Sequence, residues 1–212
     1  MRAPPVLRGG LGARFALLTG GVVLFGAGIV LMLESRLGLA PWDVLNQGIA
    51  KHSPLSFGEA NLVVALAIVV VAWRLGARIG IGTIMNAVGI SLTIIVLTAI
   101  GPVTRLAHDP LGVRIALLAG GISLIGVGSG FYLGAALGAG PRDSLMVVGA
   151  ARTHVRIGLV RATIELAALL AGLALGGTVG AGTLAFLILI GPSVEGSFWL
   201  LSRSPLALPS VA

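Results

Sequence analysis

A chain of 212 residues that is 57% hydrophobic and only 10% charged does not match the make-up of a soluble globular domain. Apolar runs of about 20 residues recur along it, long enough for helices that cross a bilayer, and together they predict an all-α integral membrane protein with the lipid bilayer as its first partner. The net charge of +7 would point to nucleic acid in a soluble protein, but here the arginines sit between apolar runs, where they set topology, so a nucleic-acid partner is not expected. The absence of cysteine excludes disulfides, thiolate catalysis and zinc-thiolate sites.

The first apolar run, Phe15 to Leu33, follows a short segment carrying Arg2, Arg8 and Arg14. It is longer than the apolar region of a cleaved signal peptide, about 7 to 15 residues, and is expected to be the first span. After Glu34 and Arg36, a segment of about a dozen residues opens at Pro41 and ends near His52 and Pro54. Eleven helical residues reach about 16 Å, half of a hydrocarbon core of about 30 Å, so this piece cannot span. The second span is expected from Phe57 to Trp73, ending on Arg74 and Arg78, and the third from the Gly80-Ile81-Gly82-Thr83 turn to Thr104.

The pattern then repeats. Gly38-Leu39-Ala40-Pro41-Trp42-Asp43-Val44-Leu45 returns as Gly138-Ala139-Gly140-Pro141-Arg142-Asp143-Ser144-Leu145, an offset of 100 residues that also matches Leu11–Gly20 to Leu111–Gly120 and Gly80–Thr83 to Gly180–Thr183 without a gap. Such self-similarity marks two copies of one unit, 11–104 and 111–203, within a single membrane domain covering 1–212. The second copy adds a fourth span from Ile115 to Ala136, a short segment after Pro141, a fifth span from Ile157 to Leu175 and a sixth from Gly180 to Leu201.

Six spans in two sets of three force the second copy to enter the membrane from the side opposite to the first, so the repeats are expected to be inverted. The basic residues agree. With the N-terminus in the cytoplasm, Arg2, Arg8, Arg14, Arg74, Arg78, Arg142, Arg152, Arg156, Arg161 and Arg203 lie inside, and only Arg36, Lys51, Arg105 and Arg114 lie outside. The expected location is the bacterial cytoplasmic membrane, multi-pass.

Glycine, 33 residues in all, sets the expected packing, because small residues let helix backbones approach where lipid offers no hydrophobic drive. Gly126, Gly130, Gly134 and Gly138 recur every fourth residue and predict one continuous groove along the fourth span. Gly20, Gly21, Gly26 and Gly28 of the first span recur as Gly120, Gly121, Gly126 and Gly128, which predicts close packing of these spans at the repeat interface.

Two placements fit the short segments. Proline in the first turn loses no hydrogen bond and an aspartate two residues on faces the positive end of the helix dipole, so each helix can lie at the interface with its aspartate as a cap and Trp42 in the aromatic belt. Alternatively, both are re-entrant, entering from opposite faces with their N-termini at a central pathway, as broken helices do in inverted-repeat transporters. The candidate pathway residues are then Pro41, Trp42, Asp43, Pro141 and Asp143, joined by the intramembrane polar residues Asn86, Glu165 and Glu195. Glu165 follows Arg161 by one turn, an arrangement that equally suits an ion pair within the helix. Of the two aspartates, Asp43 in the fuller motif is expected to be the more sensitive.

Enzyme chemistry is not expected. His52, His108 and His154 fall in three different loops on both sides of the membrane, and no H-E-x-x-H pattern is present, so neither a metal site nor a cofactor is anticipated. A glycine-rich first span followed by Gly38-Leu39-Ala40-Pro41-Trp42-Asp43-Val44-Leu45-Asn46-Gln47-Gly48, then a Gly-x-Gly-Thr turn opening a later span, resembles the YczE/YyaS/YitT group of bacterial membrane proteins. That resemblance implies a cytoplasmic-membrane protein without established biochemical activity, brings no catalytic residues, and, through a member class linked to lipopeptide antibiotic production, implies an accessory role as one option. Pro141-Arg142-Asp143 departs from the aromatic form of the motif. Two functions therefore stand: a transporter or channel for a small solute, with substrate and oligomeric state unspecified by the sequence, and a membrane accessory protein that supports a biosynthetic or export system and moves nothing.

Overall fold

A computed structural model describes residues 10–100 and 110–205; the expectations resting on Arg2, Arg8, Thr104, Arg105 and His108 lie outside them. The described residues form eight α-helices, of which six are long and apolar enough to cross a membrane. In chain order these are α1 (Leu11–Ser35), α2 (Pro41–Lys51), α3 (Phe57–Arg74), α4 (Ile81–Ala99), α5 (Leu111–Gly134), α6 (Pro141–Thr153), α7 (Ile157–Ala174) and α8 (Ala181–Ser202). The non-spanning pieces are α2 and α6, each with its proline at the start of the helix.

Local chemistry explains the boundaries. Arg36 ends α1 in the left-handed conformation, and Gly38 follows at φ +126°, a backbone angle that L side chains rarely adopt. Ala136 and Gly138, at φ +51° and +138°, repeat this exit after α5. A capping box starts α3: Glu59 N–H donates to Ser56 Oγ at 3.3 Å, and Ser56 N–H donates to Glu59 Oε2 at 2.7 Å. At the Gly-x-Gly-Thr turns, Thr83 Oγ1 accepts from Gly80 N–H and Thr183 Oγ1 from Gly180 N–H, both at 3.3 Å. Pro192 does not interrupt α8, which continues to Ser202.

The centre of the molecule is the α1–α5 pair, the most extensive of the helix contacts. A Cβ on Gly21 would stand 2.8 Å from the Gly128 carbonyl oxygen, and one on Gly28 would stand 2.6 Å from that of Gly121. The start of α1 therefore lies beside the end of α5, and the start of α5 beside the end of α1. Only glycine permits this approach, in which backbone meets backbone and dispersion contacts accumulate over several turns. Leu18, Val22, Ile29, Leu118, Ile122 and Ile125 fill the core along the seam.

The glycine groove expected on the fourth span is corrected in part. Gly126 and Gly130 do form a strip, facing Ser193 and Ser197 of α8, but α5 ends at Gly134, and Gly138 sits in the following turn against Gly80 and Thr83. The positive φ at Gly138 takes it off the helical face. Gly20 faces open space, so the matched glycines divide between the seam and the lipid side. Gly26 faces Thr93 of α4, as Gly126 faces α8.

Contacts between the two copies recur with the roles exchanged. Arg14 donates to the carbonyl oxygens of Ala135 and Ala136, each at 2.7 Å, and Arg114 donates to those of Ser35 and Arg36, at 2.7 and 3.0 Å. Gly82 N–H donates to Leu137 O at 3.0 Å, and Gly182 N–H to Leu37 O at 2.7 Å. Lys51 reaches the carbonyl of Gly176, and Arg152 that of Leu75. The short helices are exchanged in the same way: α2 packs on α7 of the second copy, and α6 on α3 of the first.

Candidate functional site

A cavity of about 160 Å³ lies where the starts of α2 and α6 come together, and it draws on both copies. Ala40, Pro41 and Trp42 reach it from one side, and Gly140, Pro141, Arg142 and Asp143 from the other. Trans-membrane helices add Asn61, Asn86, Ser129, Tyr132, Arg161 and Glu165 to the lining. The size is close to that of a cavity of about 150 Å³ that accommodates benzene, so the space suits a solute of a few heavy atoms.

Polar groups around the cavity divide into paired and unpaired. Arg142 Nη2 lies 3.6 Å from Asp43 Oδ1, which also accepts from Asn46 Nδ2 at 3.3 Å. Arg161 Nε donates to Glu165 Oε1 at 2.9 Å, the one-turn pair that the sequence allowed, and both residues line the cavity. Tyr132 donates its O–H to Asp143 Oδ2 at 2.6 Å. The indole N–H of Trp42 and the Nδ2 groups of Asn61 and Asn86 have no partner, although these residues are only 8%, 3% and 6% exposed. Ser91 Oγ lies within bonding distance of both Ala87 O (2.8 Å) and Asn61 Oδ1 (2.9 Å), but a hydroxyl has one proton to give. If it goes to Ala87, the Asn61 amide turns to donate to Ser91 and leaves its oxygen unpaired instead, so one end of that amide stays unsatisfied in either orientation. Buried polar groups without a protein partner are rare in native interiors, and three of the four among the described residues belong to side chains that line this cavity, Asn46 Oδ1 being the other.

Several sequence expectations are now located. Pro41, Trp42, Asn86, Pro141, Asp143 and Glu165 meet at the cavity. Asp43 does not line it; the carboxylate is 2% exposed, and its described partners are the side chains of Arg142 and Asn46, not the amides of its own helix start. Trp42 is buried at the cavity wall. Glu195 is exposed on α8, away from the lining, because the uninterrupted helix turns it outward. Sequence reading missed Asn61, Ser129, Tyr132 and Arg142 as lining residues. Asn61 and Tyr132 carried a readable signal as polar side chains within apolar spans. Among the described residues no group of His, Asp and Glu is placed to hold a metal ion.

A family model described as a family of unknown function (DUF6198) matches residues 12–197. The chain belongs to this family. The DUF6198 chain is 38% identical over 133 residues to an uncharacterized protein of Haemophilus influenzae, covering 62% of this chain and 59% of the relative. It is also 33% identical over 143 residues to the uncharacterized membrane protein YczE of Bacillus subtilis, covering 66% of this chain and 64% of that protein. The match therefore spans about three-fifths of the length of these curated relatives. No solved structure matches it. The resemblance to the YczE group is thereby established, and with six apolar helices this DUF6198 protein is a membrane protein.

Proposed function

We propose that the protein is a small-solute transporter of the bacterial cytoplasmic membrane, built from two inverted three-span repeats with the N-terminus inside, and that the cavity is its solute site. The observation that carries this reading is the meeting of the two short-helix starts at one polar cavity lined by both copies. What supports inversion is the pairing of α1 with α5 end to end in opposite directions, together with the exchanged contacts of Arg14 and Arg114. Helices of 11 and 13 residues reach about 16 and 20 Å, so two such helices entering a core of about 30 Å from opposite faces meet near its middle. Arg142 at the start of α6 lies 5.3 Å from the Trp42 ring at the start of α2, the contact that this re-entrant placement requires. An accessory protein that moves nothing needs no unpaired polar groups in its interior, whereas an intramembrane solute site does.

The chain contains no cysteine, so a single introduced thiol can report access to the cavity whatever the solute is. Ser129 lines the cavity and is buried, so Ser129→Cys reports whether the site opens. A transporter that alternates its access exposes this thiol to a membrane-impermeant maleimide both in intact cells and in inverted vesicles. Labelling from neither side, or from one only, would contradict transport.

A further inference from the structure

We infer that the solute is a small organic cation, a protonated or quaternary amine, whose charged nitrogen sits against Asp143. The inference rests on reading the cavity as a solute site and adds what that site selects. Charge comes first. Arg142 and Arg161 are matched by Asp43 and Glu165, at 3.6 and 2.9 Å, which leaves the Asp143 carboxylate without a cationic partner among the described residues. Its Oδ2 has only a neutral hydroxyl, that of Tyr132, at 2.6 Å. Asp143 is half-buried where it lines the cavity, and its carboxylate is the acid there that no ion pair covers among the described residues, so it offers a ligand cation an attractive partner.

The walls argue for an organic cation over a bare metal ion. Phe25, Tyr132 and Phe186 line the cavity together with Trp42, whose ring already carries the Arg142 guanidinium at 5.3 Å, and Tyr132 is the only tyrosine in a chain with 5% aromatic residues. The Phe25 and Tyr132 rings meet edge to face with centroids 6.2 Å apart. Aromatic walls around one carboxylate are a recurrent means of holding alkylammonium groups, whose charge is spread and weakly hydrated. An alkali ion would leave the Trp42 N–H unsatisfied, whereas an amine bearing a hydroxyl or carbonyl can accept from it.

Gly140 gives the nitrogen its room. A Cβ there would lie 3.2 Å from both Asp143 Oδ2 and Asn86 Oδ1, so these two oxygens converge on space that any side chain would crowd. Its backbone angles, φ −60° and ψ 162°, suit alanine, and Ala40 occupies the matched position in the first copy. Glycine is therefore not needed for the turn. It keeps the pocket open in the copy whose aspartate faces the cavity.

The test measures thermal stabilisation of the purified protein in detergent by methylammonium, tetramethylammonium, ethanolamine and choline, with sodium, acetate and glycine as comparison probes. At least one amine should raise the melting temperature with concentration, and the comparison probes should bind at least about tenfold more weakly. Asp143→Asn should abolish the shift. Gly140→Ala should weaken amine binding by about tenfold while leaving the melting temperature of the free protein unchanged, which separates loss of the site from loss of the fold. Stabilisation by sodium, acetate or glycine equal to that by the amines, amine binding that survives Asp143→Asn, or no stabilisation by any amine would overturn the inference. Amine binding with one-sided labelling at Ser129→Cys would retain the ligand class and remove transport; two-sided labelling without amine binding would do the reverse.

Discussion

Arg142 Nη2 stands 3.6 Å from Asp43 Oδ1 while its guanidinium lies over the Trp42 ring at 5.3 Å, so one residue of the second copy neutralises the acid and covers the aromatic ring of the first. Positions 42 and 142 are equivalent in the repeat, and the exchange of tryptophan for arginine makes the contact possible. Asp43 is buried and Arg142 partly exposed, so removing the aspartate leaves an arginine that water still reaches, whereas removing the arginine strands a buried carboxylate. Asp43→Asn should cost about 1–3 kcal/mol, below the full penalty of a sealed pair. In a cycle with Arg142→Gln, chemical or thermal unfolding should give a coupling of at least about 1 kcal/mol. Additive effects would mean that the pair does not contribute.

Arg14 and Arg114 each take two carbonyls at the C-terminal end of the other central helix. A guanidinium fork satisfies carbonyls that the helix cannot and complements the negative end of its dipole. Arg14→Ala and Arg114→Ala should each destabilise by about 1–2 kcal/mol. The two sites lie at opposite ends of the α1–α5 pair, so the double variant should show the sum. Lysine at either position should recover only part of the loss, because it offers no fork.

The central seam should tolerate no side chain. Gly28→Val places new atoms where a Cβ alone would lie 2.6 Å from the Gly121 carbonyl, and overpacking of this kind costs at least about 1–3 kcal/mol. Gly191, on the same kind of apolar helix but with open space around it, is a matched control. Gly191→Ala should be neutral or stabilising by up to about 1 kcal/mol. Melting temperatures of the two variants in one detergent would check the contrast.

Much of the helical architecture was legible because apolar runs of spanning length, and short segments opened by a proline, mark their helices before any contact is known. The runs and the non-spanning helices after Pro41 and Pro141 lie close to their expected bounds. The site was less legible. Asp43 and Asp143 look alike in sequence, and only the packing of Trp42 and Arg142 hides the first while leaving the second open to the cavity. Glu195 followed a proline that suggested a loosened helix, but the helix persists and carries the acid outward. Asn61 and Tyr132 needed three-dimensional proximity to gain meaning, since one polar residue in a span says nothing of what it faces.

Glu165 offers a separation of binding from stability. Its ion pair with Arg161 is one turn apart on a single helix and partly exposed, with 42% exposure for the arginine side chain, so Glu165→Gln should change stability by no more than about 0.5 kcal/mol. The same change releases the Arg161 charge at the cavity wall, where it repels a cation. Amine affinity should therefore fall while the melting temperature of the free protein holds. Retained affinity would place Glu165 and Arg161 outside the influence of the bound solute.

The inversion of the two copies is tested most directly at a pair of equivalent residues. Arg78 follows α3 and Thr178 follows α7; they occupy matched turns, and both are exposed. In a chain without cysteine, Arg78→Cys and Thr178→Cys can each be labelled with a membrane-impermeant maleimide in intact cells. Opposed repeats with the N-terminus inside should give labelling of Thr178→Cys at once and of Arg78→Cys only after the membrane is permeabilised. Labelling of both from the same side would contradict the inverted arrangement and, with it, the meeting of α2 and α6 from opposite faces at a shared cavity.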